Sequence, residues 1–184
     1  TPDKIAWINM LSDSGLEMVE YTSFVSLKWI PALADALEVG KGIKRNPNVS
    51  YSALVPNAKG LDRALEAGID NASVFMSASE THNMKNINKT IVQTYPVIKE
   101  VIKEAKDAGK EVTGYISTAF DCPYEGKIEP KQVIQICEKL FEFGADTVSL
   151  GDTIGSAVPT QVEQLLDVVL SYFPANKILM HFHD

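Results

Sequence analysis

Six short runs rich in apolar and β-branched residues punctuate the chain: Met18 to Val25, Val49 to Val55, Ala72 to Ser77, Val112 to Ala119, Asp146 to Leu150 and Lys177 to His183. Between them lie longer stretches with apolar residues at helical spacing, clearest over Ile91 to Ala108 and Lys131 to Phe143. In the second, Val133, Ile134, Ile136, Cys137, Leu140 and Phe141 form one stripe. Strands that alternate with crossover helices predict an α/β fold with a mainly parallel sheet. The punctuation agrees. Ala67-Gly68, Ala108-Gly109 and Phe143-Gly144 stand where helices should close on a left-handed glycine, and Pro130 and Pro159 stand where first helical turns should begin. The unit recurs every ~30 residues, the size of one βα step.

Two architectures fit that repeat, an open doubly wound sheet and a (β/α)8 barrel. No G-x-G-x-x-G follows a strand and no P-loop lysine motif exists, so the dinucleotide and nucleoside-triphosphate versions of the open sheet lose support. A barrel usually takes about 250 residues. Six strands in 184 residues would therefore be an incomplete barrel, in one domain over residues 1–184.

Composition narrows the class. With 45% hydrophobic and 22% charged residues the chain has enough apolar material for a core, which excludes disordered classes. No apolar run reaches the roughly 18–20 residues of a membrane helix, and nothing resembles a signal peptide, so no membrane partner is expected. Seventeen basic against 24 acidic residues give a net charge of −7. That balance argues against nucleic acid as a partner but leaves room for a small anionic ligand. The two cysteines, Cys122 and Cys137, suit neither a disulfide scaffold nor a zinc site, and a reducing, intracellular setting is the expectation. The first residue is Thr1, so targeting is not legible.

Of three histidines, two fall in Met180-His181-Phe182-His183-Asp184. Side chains two apart on a strand share a face, so His181 and His183 point together. Such a pair is half of a divalent-metal site suited to Mg²⁺, Mn²⁺ or Zn²⁺; the other reading is a pair of histidines at a strand end with no ligand. In Ser149-Leu150-Gly151-Asp152-Thr153-Ile154-Gly155, Asp152 follows a strand and is either a base or metal-supporting carboxylate, or a cap for the next turn. Glu20 lies inside an apolar strand and needs a cationic or hydrogen-bonding partner unless that strand is frayed and solvated. Cys122-Pro123-Tyr124-Glu125-Gly126-Lys127 reads as a rigid loop over a site, with Tyr115 and Ser117 on one strand face beneath it. Cys122 has no nearby histidine to activate it and is structural or substrate-lining. His82 reads as an isolated loop histidine. Lys85-Asn86-Ile87-Asn88-Lys89 reads as either a phosphate-meeting segment or a solvated helix start.

Taken in order, several segments resemble the hydroxymethylglutaryl-CoA lyase family. They are Val19-Glu20-Tyr21-Thr22-Ser23-Phe24-Val25-Ser26-Leu27-Lys28-Trp29-Ile30-Pro31, Ala78-Ser79-Glu80 with Lys85-Asn86-Ile87-Asn88, Cys122 to Ile128, Ser149 to Gly155, and His181-Phe182-His183-Asp184. The resemblance covers essentially the whole chain. It implies a (β/α)8 barrel, here about strands 2 to 7 and truncated at both ends. The implied activity is cleavage of 3-hydroxy-3-methylglutaryl-CoA to acetoacetate and acetyl-CoA, a carbon–carbon lyase reaction with Mg²⁺ or Mn²⁺. His181 and His183 would be metal ligands, with His181 also counted among the catalytic groups. Asp152 would be a base or proton shuttle at the substrate hydroxyl, and Glu20 would orient the polar network beneath it. Ser23, Asn86, Tyr115, Cys122 and Ser149 would meet the acyl-CoA substrate.

The resemblance also implies a homodimer when intact, in the cytoplasm or, in a eukaryote, the mitochondrial matrix. Several family parts have no match here: an Arg-Asp segment on the first strand, an asparagine ligand and a catalytic cysteine loop. The 184 residues alone are therefore expected to be nearly inactive. Leu27 and Asp121 depart from the family pattern, which has proline and glycine there. Two rival readings stay open: another enzyme of the superfamily, such as a 2-oxo-acid-using synthase or a hydroxy-oxo-acid aldolase, and a non-catalytic barrel fragment that self-associates through its open edges.

Overall fold

A computed structural model describes residues 1–26 and 30–184. Leu27, named above as a departure from the family pattern, lies outside the described residues. Six parallel strands form one sheet: β1 (Met18–Ser23), β2 (Ser50–Leu54), β3 (Asn71–Ser77), β4 (Glu111–Ser117), β7 (Thr147–Asp152) and β8 (Ile178–Phe182). They lie side by side in sequence order, each hydrogen-bonded to the next. An unbroken parallel order with a helical crossover at each step is the barrel pattern, and the sheet curls accordingly. All six runs read from the sequence become strands, with ends that shift by one or two residues. The Cys122 segment, read from the sequence as a rigid loop, is a small antiparallel hairpin, β5 (Asp121–Cys122) with β6 (Gly126–Lys127).

The crossovers include α3 (Ala58–Glu66), α5 (Ile91–Asp107), α6 (Pro130–Phe143) and α7 (Pro159–Val169). Their stops are those the sequence marks: Gly68, Gly109 and Gly144 all take positive φ, at 78°, 71° and 106°. Helix α5 begins on a capping box, Thr90 accepting from the Gln93 amide while the Gln93 side chain accepts from the Thr90 amide. Two further helices precede the second strand, α1 (Pro2–Ser12) and α2 (Ala36–Gly42). A seventh, α4 (Glu80–Ile87), follows β3 directly.

The two faces of the sheet differ in chemistry. Toward the helices it shows Ala72, Val74, Met76, Val112, Ile116, Val148 and Leu150, which join Ile98, Val101, Ile102, Val133, Cys137 and Leu140 in the main core. At ~25 cal/mol per Å² of apolar surface, this layer dominates the fold's stabilisation. A smaller cluster of Ile8, Val19, Val39, Ile43, Val49 and Tyr51 seats α1 and α2. The opposite, inner face is built of small polar side chains, including the buried Ser52, Asn71, Ser73, Thr113 and Ser149. Some of these pair across strands: Asn71 Nδ2 donates to Thr113 Oγ1 at 3.1 Å, and Thr113 Oγ1 lies 3.0 Å from Thr147 Oγ1. A polar inner face contributes little to the core and leaves donors and acceptors for a ligand.

Candidate active site

The inner face collects five of the residues singled out from the sequence. Residues level with one another on adjacent strands face the same side. Glu20 is level with Ser52, and Tyr115 with Ser149. A register shift between Glu20 and Thr22 then brings Ser23 level with Leu54, so Glu20 and Ser23 share the inner face although they are three apart in sequence. His181 completes the set: its ring meets Tyr115 edge-on, with centroids 5.7 Å apart at 82°.

Glu20 sits beside the Ser73 and Tyr115 hydroxyls. The residue keeps solvent-facing surface on the inner side, but strand atoms crowd its carboxyl. That desolvation raises its pKa above the ordinary carboxylate value, outweighing the two hydroxyls, which act in the opposite direction. The same surroundings push the Tyr115 phenol upward, first through desolvation and then through the Glu20 charge. The partner that Glu20 requires is thus a pair of neutral donors among the described residues, not an arginine.

His181 Nε2 and His183 Nε2 are 3.2 Å apart. His183 Nδ1 is 2.8 Å from the main-chain oxygen of Asp152. A carbonyl oxygen can only accept, so Nδ1 carries the proton and Nε2 presents its lone pair toward His181. A backbone partner that fixes the tautomer of a ligating imidazole is the usual support of a metal site. The spacing suits the role: two ligands at right angles, each with a ~2.1 Å bond, lie ~3.0 Å apart. The pair therefore fits a divalent cation. Desolvation and the neighbouring His183 both lower the His181 pKa, which favours the neutral, ligating imidazole. Among the described residues no group of three or more His, Cys, Asp or Glu side chains gathers around one point, so this chain supplies two imidazole donors.

Asp152 is buried at 2% exposure. Its Oδ1 accepts from the Ser156 amide at 3.1 Å and its Oδ2 from the Ala157 amide at 3.0 Å. The carboxylate thus makes the hydrogen bonds of a turn cap, and the backbone carbonyl of Asp152 is what touches the histidine pair.

Cys122 is buried in the main core, with its thiol donating to Ser79 Oγ at 3.0 Å, because the hairpin folds it inward. That burial fits the structural one of its two readings. Asn86 is exposed on the last turn of α4, and the Lys85–Lys89 stretch ends that helix on left-handed Asn88 instead of starting one. His82 is in the first turn of α4 rather than a loop, with Nδ1 2.5 Å from Ser77 Oγ. Asp121 accepts from Ser156 Oγ at 3.0 Å, which ties the hairpin to the loop after β7. Sequence reasoning missed Ser79, whose side chain accepts from the His82 amide; a serine directly before a helical stretch is an N-cap signal that locates α4.

Two open concavities, of about 550 and 630 Å³, lie elsewhere. One is beside α2, and the other is at the amino ends of the strands around Arg45, Tyr51 and Lys110. Neither includes either residue of the histidine pair, so the donor geometry locates the site better than concavity does. No helix among the described residues is long and apolar enough to cross a membrane.

Comparison with known proteins places this geometry. The chain is 56% identical over all 184 residues to a hydroxymethylglutaryl-CoA lyase of Bacillus subtilis and 45% identical to the mitochondrial hydroxymethylglutaryl-CoA lyase of Bos taurus; it covers 62% and 57% of their lengths. The chain thus spans about three fifths of the curated relatives it matches. Among solved structures, the Bacillus subtilis lyase superposes with a TM-score of 0.97 over the whole chain and 61% of that structure. The A. baumannii lyase, solved with coenzyme A and 3-methylmalate, gives 0.94 at 37% identity, over 99% of this chain and 59% of its own. The six curled strands are therefore part of a TIM barrel. The HMGL-like family model matches residues 1–184 from end to end, and the chain belongs to that family.

Proposed function

We propose that this chain carries the histidine half of a hydroxymethylglutaryl-CoA lyase site, and that the whole protein cleaves 3-hydroxy-3-methylglutaryl-CoA to acetoacetate and acetyl-CoA. The observation that carries the proposal is the His181–His183 pair, with Nε2 atoms 3.2 Å apart, facing a polar sheet in a chain 56% identical to a lyase of that name. His181 and His183 would hold a divalent cation, Mg²⁺ or Mn²⁺. When bound, the cation stabilises the negative charge that develops on the substrate's tertiary hydroxyl oxygen.

The residues of the chain divide the remaining work. His183 is oriented by the Asp152 carbonyl, and Asp152 is held in turn by the loop amides. We assign Asp152 to that orienting role in preference to acting as the base, because both of its oxygens already accept N–H groups. Glu20, with its pKa raised above the ordinary carboxylate value and the Tyr115 and Ser73 hydroxyls beside it, is the carboxyl suited to taking and returning a proton. Ser23 and Ser149 present small hydroxyls on the same face for the acyl chain. Asn86 lies at the exposed end of α4, where it could meet only the outer part of a long acyl-CoA; Cys122 supports the site by packing. The homodimer, and the cytoplasm or mitochondrial matrix as location, are proposed on the resemblance alone.

The test supplies the rest of the barrel. Residues 1–184 replace the matching segment of the Bacillus subtilis relative, and the chimera is assayed for acetoacetate release with Mg²⁺ or Mn²⁺. Activity near that of the parent, lost on His181→Ala with the fold retained by circular dichroism, supports the reading. A folded chimera that releases no acetoacetate but condenses a 2-oxo acid would replace it with the synthase reading.

A further inference from the structure

Two non-glycine residues among those described take positive φ, Asn88 and Thr118; Thr118, at φ 55°, is β-branched and has no exposed surface. Left-handed backbone is costly for any residue with a branched Cβ, and it persists only where surrounding contacts impose it. The contacts here have a direction. The Thr118 amide donates to Thr153 Oγ1 at 2.7 Å, and the next amide, Ala119, donates to the Gly151 carbonyl at 2.9 Å. A left-handed residue turns successive N–H groups to the same side. Both therefore reach the carboxyl end of β7, one at Gly151 just before Asp152 and one at Thr153 just after it. Asp152 is the residue whose carbonyl fixes the imidazole of His183. The Thr118 hydroxyl supports the kink by donating to the Ser117 carbonyl at 2.7 Å, and it accepts from the Ser79 amide at 3.3 Å. One strained residue thus joins the turns after β3, β4 and β7.

We infer that Thr118 is a positioning residue for the metal-ligating His183, acting through the clamp on Gly151 and Thr153 that holds the Asp152 carbonyl in place. The inference rests on the metal reading of the histidine pair, and no partner contact or bound molecule is needed for it. Thr118 itself lies away from the donor atoms. Its effect passes through three hydrogen bonds, Thr118 to Thr153, Ala119 to Gly151 and His183 to Asp152. The strain is the sign that the fold maintains this arrangement against the residue's own preference.

Three variants separate the elements of the clamp. Thr118→Gly keeps the left-handed backbone without strain and retains both amide donors. Thr118→Val keeps the volume and the branch but removes the hydroxyl that supports the kink. Thr153→Val leaves Thr118 intact and removes the acceptor of its amide. Two quantities are read. Zn²⁺ affinity is measured by calorimetry, with Zn²⁺ as probe because imidazole pairs bind it more tightly than Mn²⁺. The tautomer of His183 is measured in metal-free protein by long-range ¹H–¹⁵N correlation.

Thr118→Val and Thr153→Val should weaken Zn²⁺ binding roughly 10- to 100-fold, as loss of an orienting contact does. They should also release His183 from the Nδ1–H tautomer. Thr118→Gly should resemble the parent in both. Folded valine variants with parental affinity and tautomer overturn the inference, as does a glycine variant that loses as much as the valine. If Thr118→Val does not fold, Thr153→Val carries the test, since Thr153 is only partly buried. A parent that binds no Zn²⁺ defeats the metal reading instead, and the tautomer measurement still decides whether the clamp exists.

Discussion

Leu140 of α6 fills the space that a side chain on Gly114 of β4 would require. A Cβ at Gly114 would stand 2.7 Å from Leu140 Cδ1 and 3.2 Å from Cδ2. The absent methyl thus lets α6 lie close against the sheet at a point where Leu140 has no exposed surface. Gly114→Ala should destabilise the fold by about 1–3 kcal/mol through overpacking, and Leu140→Ala by about 2–5 kcal/mol through the cavity it leaves. The double variant should cost clearly less than the sum, because the new methyl occupies part of that cavity. Urea unfolding of the four proteins measures this; strict additivity would mean that the two positions do not share the space.

A cation held by two imidazoles alone should follow nitrogen-ligand preference. Zn²⁺ should bind more tightly than Mn²⁺, and Mn²⁺ more tightly than Mg²⁺, which favours oxygen ligands and sheds water reluctantly. His181→Ala and His183→Ala should each abolish most Zn²⁺ affinity. His82→Ala should leave it unchanged, since that ring is engaged by Ser77. Titration calorimetry across the three metals and three variants checks the order. Equal binding by the His181 and His82 variants would show that the metal sits elsewhere.

The strands were legible because each carries apolar residues facing the helices, and glycines such as Gly68, Gly109 and Gly144 close the helix before the next strand begins. Val74, Met76, Ile116 and Leu150 are buried as their spacing predicts. Helix α1 was not legible: Trp7 and Met10 stand exposed at 65% and 71% while Ser12 is buried, so no clean stripe marks it. Its placement depends on long-range contacts, such as Tyr51 Oη to Ser12 Oγ at 2.9 Å, that only the folded chain creates. In the site, H-x-H on a strand end needs only the two-residue period, which turns the His181 and His183 rings to one side with Nε2 atoms 3.2 Å apart. The surroundings of Asp152 were not legible, since the residue type suits both a base and a cap and its contacts with the amides of Ser156 and Ala157 are created by the folded loop. The same holds for Thr118, because no residue pattern announces a β-branched side chain at positive φ.

The first helix is tethered by a carboxylate whose titration should be visible in stability. Asp35 accepts from Lys4 Nζ at 2.6 Å and from Thr1 Oγ1 at 2.8 Å. The Lys4 hydrogen bond first, and the Thr1 hydrogen bond next, hold its pKa down to about 2 from an ordinary 3.8. A depressed carboxylate contributes stability that is fully present above its unfolded pKa and is lost as pH falls through the folded one. The contribution should therefore vanish between roughly pH 4 and pH 2. It should be small, because the pair lies near the surface, with the Lys4 side chain 42% exposed. Lys4→Met should lower the melting temperature at pH 6 and make little difference near pH 2. A penalty that stays constant from pH 6 to pH 2 would mean that packing of the lysine stem, and not the charge, is what was lost.

Glu20 has the opposite sign. Its pKa is raised by the desolvation of its carboxyl on the inner face, so folding favours the protonated form. Stability linked to it is fully present below the unfolded carboxylate value, ordinarily 4.5, and is lost as pH rises through the higher folded value. Ionising this carboxyl in the folded chain is therefore a cost to the fold, reduced but not removed by the Ser73 and Tyr115 hydroxyls. Glu20→Gln keeps the shape and an acceptor oxygen without the charge. The variant should melt at the same temperature as the parent below about pH 4 and above it at pH 7 to 8, with the difference opening as pH rises. The gain should be modest, because part of the side chain faces solvent. Thermal unfolding of both proteins between pH 4 and pH 8 measures the divergence. Parallel curves would mean that Glu20 ionises as freely in the folded chain as in the unfolded one, which would also remove the case for it as a proton carrier. A glutamine variant that is stabilised at pH 7 and yet, grafted into the Bacillus barrel, releases no acetoacetate would place Glu20 where fold stability is given up for reactivity.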